Sequence, residues 1–451
     1  MLVDYKKRWK KFLVAGVTMA LVAGMGSTLP SAYAGGKIGT DNENQWISLG
    51  MGLRTSFAAV QDGAANGTAY NNTFGIDNAR IYINGKIHKY IGFEFNTECF
   101  SCNNSQTLSA QASDSNANIG LLDAIGKFEF NPFVNIWVGR MLVPTDRHEL
   151  DGPFYQAVYQ GFKSPVGPAD QGGFGTGGAG KYGRDNGVSF WGQVDPGFGH
   201  LQYVGMISTG LQSCGGCFNS NPPATAGSPI LAANRGPGGP NQGNSLSYAG
   251  RITYNFLNPE KNPGYYTSST YYGTAGDILA IAVGGQYQNS GAGSYFNANH
   301  SAFTSFITDL LFEKPLANDM GVITFNAEYK RYWADYSPNA FAFGDSFSMF
   351  RGQSYQLNGL FLIPQEVGIG KFQPYGMWTF IMPDNMVQGN RSEYELGTNY
   401  IISGHNARLA AFYNYGNFSN MPGGGAFANY GAGTRDLDKV STFQVALQLQ
   451  Y

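Results

Sequence analysis

Four cysteines stand at one repeated spacing, Cys99-x-x-Cys102 and Cys214-x-x-Cys217. Four thiolates arranged in this way can form a tetrahedral zinc site. The spacing also carries redox dithiols and, where a histidine follows, covalently attached haem. Neither pair is followed by histidine, and neither opens a helix in a strand–helix–strand unit. Both pairs fall in polar segments read as external loops. A chain that crosses an oxidising compartment has its thiols converted to disulfides, so Cys99, Cys102, Cys214 and Cys217 are expected as disulfides, with the pairing left open.

The second concentration of reactive groups is Asp146, Arg147, His148, Glu149 and Asp151, with Arg140 just upstream. Charges held at a narrow place tune ion passage through their local field. His148 is read as a member of this group and not as a metal ligand. There is no phosphate-binding glycine loop, zinc-protease motif or nucleophile elbow. Gly172-Gly173 and Gly177-Gly178 lack the Lys-Ser/Thr ending of a P-loop. Neither an enzyme nor a cofactor is expected.

The elements that position these groups have a period of two. Ile323, Phe325, Ala327 and Tyr329 alternate with Thr324, Asn326, Glu328 and Lys330. Ile91, Phe93 and Phe95 alternate with Gly92, Glu94 and Asn96. Such alternation places the apolar set on one face of a strand. Sixteen such segments begin near Gln45, Phe74, Lys89, Gly120, Val134, Gly187, His200, Ser245, Asp277, Ala302, Gly321, Gln353, Phe372, Ser392, Asn406 and Ser441. Most have the length that a tilted strand needs to cross a bilayer.

Short turns rich in Pro, Gly, Asn and Asp alternate with long glycine-rich loops, which is the rim asymmetry of outer-membrane barrels. Leu257 to Gly276 breaks this pattern, being a long segment on the short-turn side. Residues 1–34 read as a secretory signal: Lys6, Lys7, Arg8, Lys10 and Lys11 precede an apolar run that ends at Ala32-Tyr33-Ala34. Residues 35–451 would then hold 23 basic and 29 acidic residues, a balance without the basic face that nucleic acid requires. Charged residues make up 13% of the chain and aromatics 15%, against about 25% charged in ordinary soluble domains. The expected fold is all-β: a closed, antiparallel, sixteen-stranded transmembrane barrel in the outer membrane. Phe443, Val445, Leu447, Leu449 and Tyr451 alternate to the last residue, which resembles the terminal strand of bacterial outer-membrane proteins.

Three segments are similar to the phosphate-selective porin O and P family: Asn78 to Lys86 with Gly92-Phe93-Glu94-Phe95; Leu122-Asp123-Ala124 with Trp137 to Pro144; and Arg184 to Val188 with Leu201-Gln202-Tyr203 and Ala249-Gly250-Arg251. The resemblance implies a sixteen-stranded, commonly trimeric porin. It also implies that the loop 142–186, with Arg140 and the Asp146–Asp151 group, folds inward as a constriction. Phosphate-specific members line the pore with many arginines. Here parity places Arg54, Arg80, Lys86, Lys127, Arg251, Lys330 and Arg408 inside, together with Glu94, Asp123, Glu129, Glu328, Glu393 and Glu395. A mixed lumen of this kind predicts passive diffusion of small ions and polar solutes with only mild anion preference, attributed to Arg80, Arg140, Arg147 and Arg251. Two other readings are the porin shell of an extracellular electron conduit, with a cytochrome partner in the lumen, and an outer-membrane adhesin.

Overall fold

The computed structural model describes residues 35–40, 42–64, 66–100, 118–161, 183–210, 245–293, 300–334, 351–384, 390–417 and 439–451. The signal segment, Cys102, Cys214, Cys217 and residues 162–182 of the expected constriction loop lie outside these.

The strands in chain order are β1 (Gly36–Gly39), β2 (Trp46–Val60), β3 (Asn71–His88), β4 (Ile91–Phe100), β5 (Asn118–Glu129) and β6 (Asn135–Leu142). They continue with β7 (Arg184–Val194), β8 (His200–Ser208), β9 (Ser247–Asn255), β10 (Ile278–Gly293), β11 (His300–Pro315) and β12 (Val322–Ala334). The last are β13 (Gly352–Leu362), β14 (Glu366–Val367), β15 (Gly370–Pro383), β16 (Arg391–Ser403), β17 (Ala407–Gly416) and β18 (Val440–Gln450). Each long strand pairs antiparallel with its neighbours, and β18 closes onto β2. Omitting the short β1 and β14, sixteen strands form a closed ring. A sheet surrounded by lipid must close, because an open edge would leave backbone groups without partners. The two additional strands are local. β14 is half of a small turn hairpin with β15. β1 pairs with Trp46 to Leu49 of β2, continuing the column that Tyr451 ends opposite Met51.

The alternation read from the sequence decides which side chains face in. In β18 the buried residues are Val440, Thr442, Gln444, Ala446, Gln448 and Gln450, while Phe443, Val445 and Leu449 are exposed. The same inversion runs round the ring: Ile323 and Phe325 are exposed, whereas Thr324 and Asn326 are buried. A soluble protein does the reverse. An apolar outer belt around a polar interior is the partition that a bilayer imposes on a barrel. Cys99 lies in β4, in register with Ile119, and not in the external loop where its polar neighbours placed it. It is disulfide-bonded.

Candidate functional site

The barrel interior is bridged by the chain itself. Beyond β6 the segment Val143 to Gly161 stays inside the ring, almost entirely buried. It contains one short helix, α1 (Arg147–Asp151), whose N-cap Asp146 accepts the Glu149 backbone N–H at 2.9 Å. Two inward-facing glycines seat this loop. A Cβ on Gly284 of β10 would lie 2.2 Å from the Thr145 carbonyl oxygen, and one on Gly52 of β2 would lie 2.6 Å from the Phe154 ring. β10 and β2 are eight strands apart in either direction round the ring. The loop therefore crosses the full diameter of the lumen, and only residues without side chains let it lie against both walls.

Parity placed the inward charges, and the structure shows what each one meets. Arg80 pairs with Glu98 at 2.5 Å, Lys127 with Glu94, and Arg184 with Asp123. Arg147 of the loop pairs with Glu260 at 2.7 Å and Asp309 at 3.1 Å, and Asp309 also holds Arg251. Lys330 reaches Asp146 at 3.0 Å and Glu328 at 2.8 Å. Lys86 is half-buried near the end of β3 that turns into β4. Arg140 needs correction as a constriction residue. Trp137 and Met141 point inward on β6, so Arg140 has the outward parity, and its Nε donates to the Leu122 carbonyl at 3.1 Å. His148 is buried in α1, with Gln156 Nε2 3.5 Å from its Nδ1.

Four members of this network escaped the sequence reading. Glu98 and Arg184 sat in stretches assigned to loops, and Glu260 in the anomalous long segment. Asp309 had a usable signal, its inward parity between Thr308 and Leu310 on β11.

Burial changes the acids of the loop. Removal from water pushes the carboxyl of Asp151 well above its usual range, opposed in part by Arg147. Burial, and then the Asp146 carboxylate, do the same to Glu149. Both shifts weaken the negative field of the loop.

Arg54 and Arg408 stand outside the ion pairs just described. Arg54 donates to Asn78 Oδ1 at 2.7 Å and to the Tyr159 carbonyl, and its guanidinium lies 4.0 Å from the Tyr159 ring centroid. Arg408 donates to Gln448 Oε1 at 3.0 Å and to the Gln156 carbonyl at 2.7 Å. Neither has a carboxylate partner among the described residues. They clasp the far end of the loop, Gln156 to Tyr159, from β2 and β17.

With this geometry in hand, the solved structures that the chain resembles are outer-membrane porins. An anion-selective porin from Comamonas acidovorans aligns over 90% of this chain and 99% of its own, at 13% identity and a TM-score of 0.51. Salmonella typhi OmpF in complex with daunomycin aligns over 92% and 100%, at 11% identity and a TM-score of 0.53. No family model matches the sequence, and no curated protein does. At these identities the likeness speaks for the shared sixteen-stranded barrel, and function has to be argued from the lumen itself.

Proposed function

We propose that the protein is a passive diffusion channel of the bacterial outer membrane for small ions and polar solutes, with mild anion preference. The observation that carries this reading is the way the lumen arginines are bonded. Glu94, Glu98, Asp123, Asp146, Glu260, Asp309 and Glu328 are held by cations, while Arg54 and Arg408 meet only neutral acceptors. The local lining, and not the total charge of the chain, sets the barrier an ion meets. Guanidinium stays charged at any working pH. The source of anion preference therefore moves from Arg80, Arg147 and Arg251, which are neutralised, to Arg54 and Arg408.

A tight phosphate site of the porin O and P kind would need several free guanidinium groups converging on one point. The resemblance to that family is carried over as channel architecture without its specificity. In planar bilayers under a salt gradient, the reversal potential should show weak anion selectivity. Arg54→Ala or Arg408→Ala should reduce it, and removing the neutral Arg80–Glu98 pair together, as Arg80→Ala with Glu98→Ala, should leave it nearly unchanged. Cation selectivity in the unmutated protein, or block by micromolar phosphate, would contradict the reading. A threaded cytochrome would have to displace a loop seated on both walls, so the electron-conduit alternative gains nothing from this geometry.

The outer belt supports assembly with other copies. Exposed Tyr248, Tyr287, Trp333, Tyr394, Tyr413 and Tyr415 lie on the arc from β9 to β17. In the strands β2 to β7 themselves, among the described residues, the exposed large side chains are Ile, Leu, Met, Val and Phe, and exposed Tyr70 lies just before β3. Tyr and Trp mark the edges of a lipid-facing surface. An arc whose strands expose neither fits contact with other copies, and a homotrimer is the proposed assembly. A monomer mass for the native band in mild detergent would refute it.

A further inference from the structure

The segment between β9 and β10, Leu257 to Gly276, does not hang below the barrel. The Gly264 carbonyl accepts from Gln202 Nε2 on the β8 wall at 2.8 Å. The Ser269 carbonyl accepts from Asn326 Nδ2 on the β12 wall at 3.0 Å. These walls lie on opposite sides of β10 in the ring. Asn326 is four residues above the start of β12, about 13 Å up the wall at ~3.3 Å per residue. The segment therefore enters from the periplasmic rim, reaches both halves of the lumen that the loop separates, and meets the loop from below. There the Thr267 hydroxyl donates to Asp151 Oδ1 at 2.6 Å, Ser269 N–H donates to the Tyr155 carbonyl at 3.1 Å, and Glu260 grips Arg147.

The inner wall is built to receive it. A water-filled pore has no use for inward-facing Val204, Met206, Leu311 or Leu362, yet all four are buried. Val204 and Met206 belong to the apolar cluster of Tyr265, Leu311 to that of Ala275 and Tyr271, and Leu362 to that of Tyr272. Withdrawing the segment would open three apolar clusters to water and strip Arg147 of a partner.

From this we infer that Leu257–Gly276 is a permanent second constriction, entering from the periplasmic side, which together with the loop sets the size limit of the pore. The inference rests on the channel reading above. It assigns size selection to this segment and leaves charge selection with Arg54 and Arg408.

Planar-bilayer recording and liposome swelling with arabinose and a tetrasaccharide test it on the full chain. Replacing residues 259–274 by a short Gly-Ser linker should raise single-channel conductance about twofold or more, since sixteen strands left unfilled enclose an aqueous channel. It should also admit the tetrasaccharide while keeping the sign of the reversal potential. A second variant retains the whole segment: Ser269→Cys with Asn326→Cys should conduct equally before and after oxidation tethers segment to wall. Unchanged conductance in the linker variant would overturn the inference by removing the segment from the path. Large spontaneous openings that the tether abolishes would overturn it by making the segment a gate. If neither the unmutated protein nor the linker variant conducts although each runs as a folded, heat-modifiable barrel, both this inference and the channel reading fall.

Discussion

Asp309→Ala should destabilise the barrel by about 3–5 kcal/mol, because it leaves buried guanidinium charge without its counter-charge. Asp309 is 3% exposed and accepts from Arg251 Nη2 at 2.8 Å and from Arg147 Nε at 3.1 Å. Arg147 keeps Glu260 after the substitution, but Arg251 keeps only the Thr145 carbonyl, at 3.4 Å. The carboxylate also accepts the Arg147 backbone N–H at 3.3 Å, so the start of α1 loses a tie to the wall as well. Urea-dependent unfolding in lipid vesicles, followed by tryptophan fluorescence, measures the difference. Asp309→Asn should cost less, since its amide oxygen still accepts. A loss below about 1 kcal/mol for Asp309→Ala would show that water reaches this level and screens the arginines, as it does for exposed pairs.

Leu396→Arg should cost about 2–4 kcal/mol if the outward face at mid-strand lies against the centre of the bilayer. Leu396 is the sixth of thirteen residues in β16 and is 66% exposed. Ile323 makes the comparison informative. It is the second residue of β12, near the periplasmic rim, where Arg can reach the headgroups and the cost falls to about 0–1 kcal/mol. Alternation alone could not separate these two positions, because both are apolar on the outward parity. Unfolding in vesicles should rank Leu396→Arg well below Ile323→Arg in stability. Equal losses would mean that the bilayer is not centred on the ring as proposed. The inward neighbours are not the tolerant positions that a simple polar lining implies. Asn326 is buried and bonded to both Asn358 and the Ser269 carbonyl, so a charge placed there would disturb the inserted segment.

The ring of strands was legible in the sequence because strand periodicity is a local property. Each side chain points opposite to its neighbour, so Ile323 and Thr324 declare their faces without reference to any other strand. Every one of the sixteen segments read from alternation corresponds to a long strand. Arg54, Arg80, Lys127, Arg251, Lys330 and Arg408, which share the polar parity of their strands, are all buried. Arg140 was placed by its nearness to the loop and not by parity, and the parity that Trp137 and Met141 set on β6 turns it outward.

What the inward groups meet was decided only by the tertiary structure. Arg147 lies 162 residues from Asp309 and Arg408 lies 252 from Gln156, and no local pattern encodes contacts at such separations. Closure of the ring brings β2 opposite β10, and that makes Gly52 and Gly284 the two seats of one loop. In sequence they are two glycines among 63. Leu257 to Gly276 was visible only as an irregularity, a long connection on the rim of short turns. Its place inside the barrel follows from burial of Tyr265, Tyr271 and Tyr272 against apolar wall residues that belong to distant strands, a complementarity that exists only once the barrel has closed.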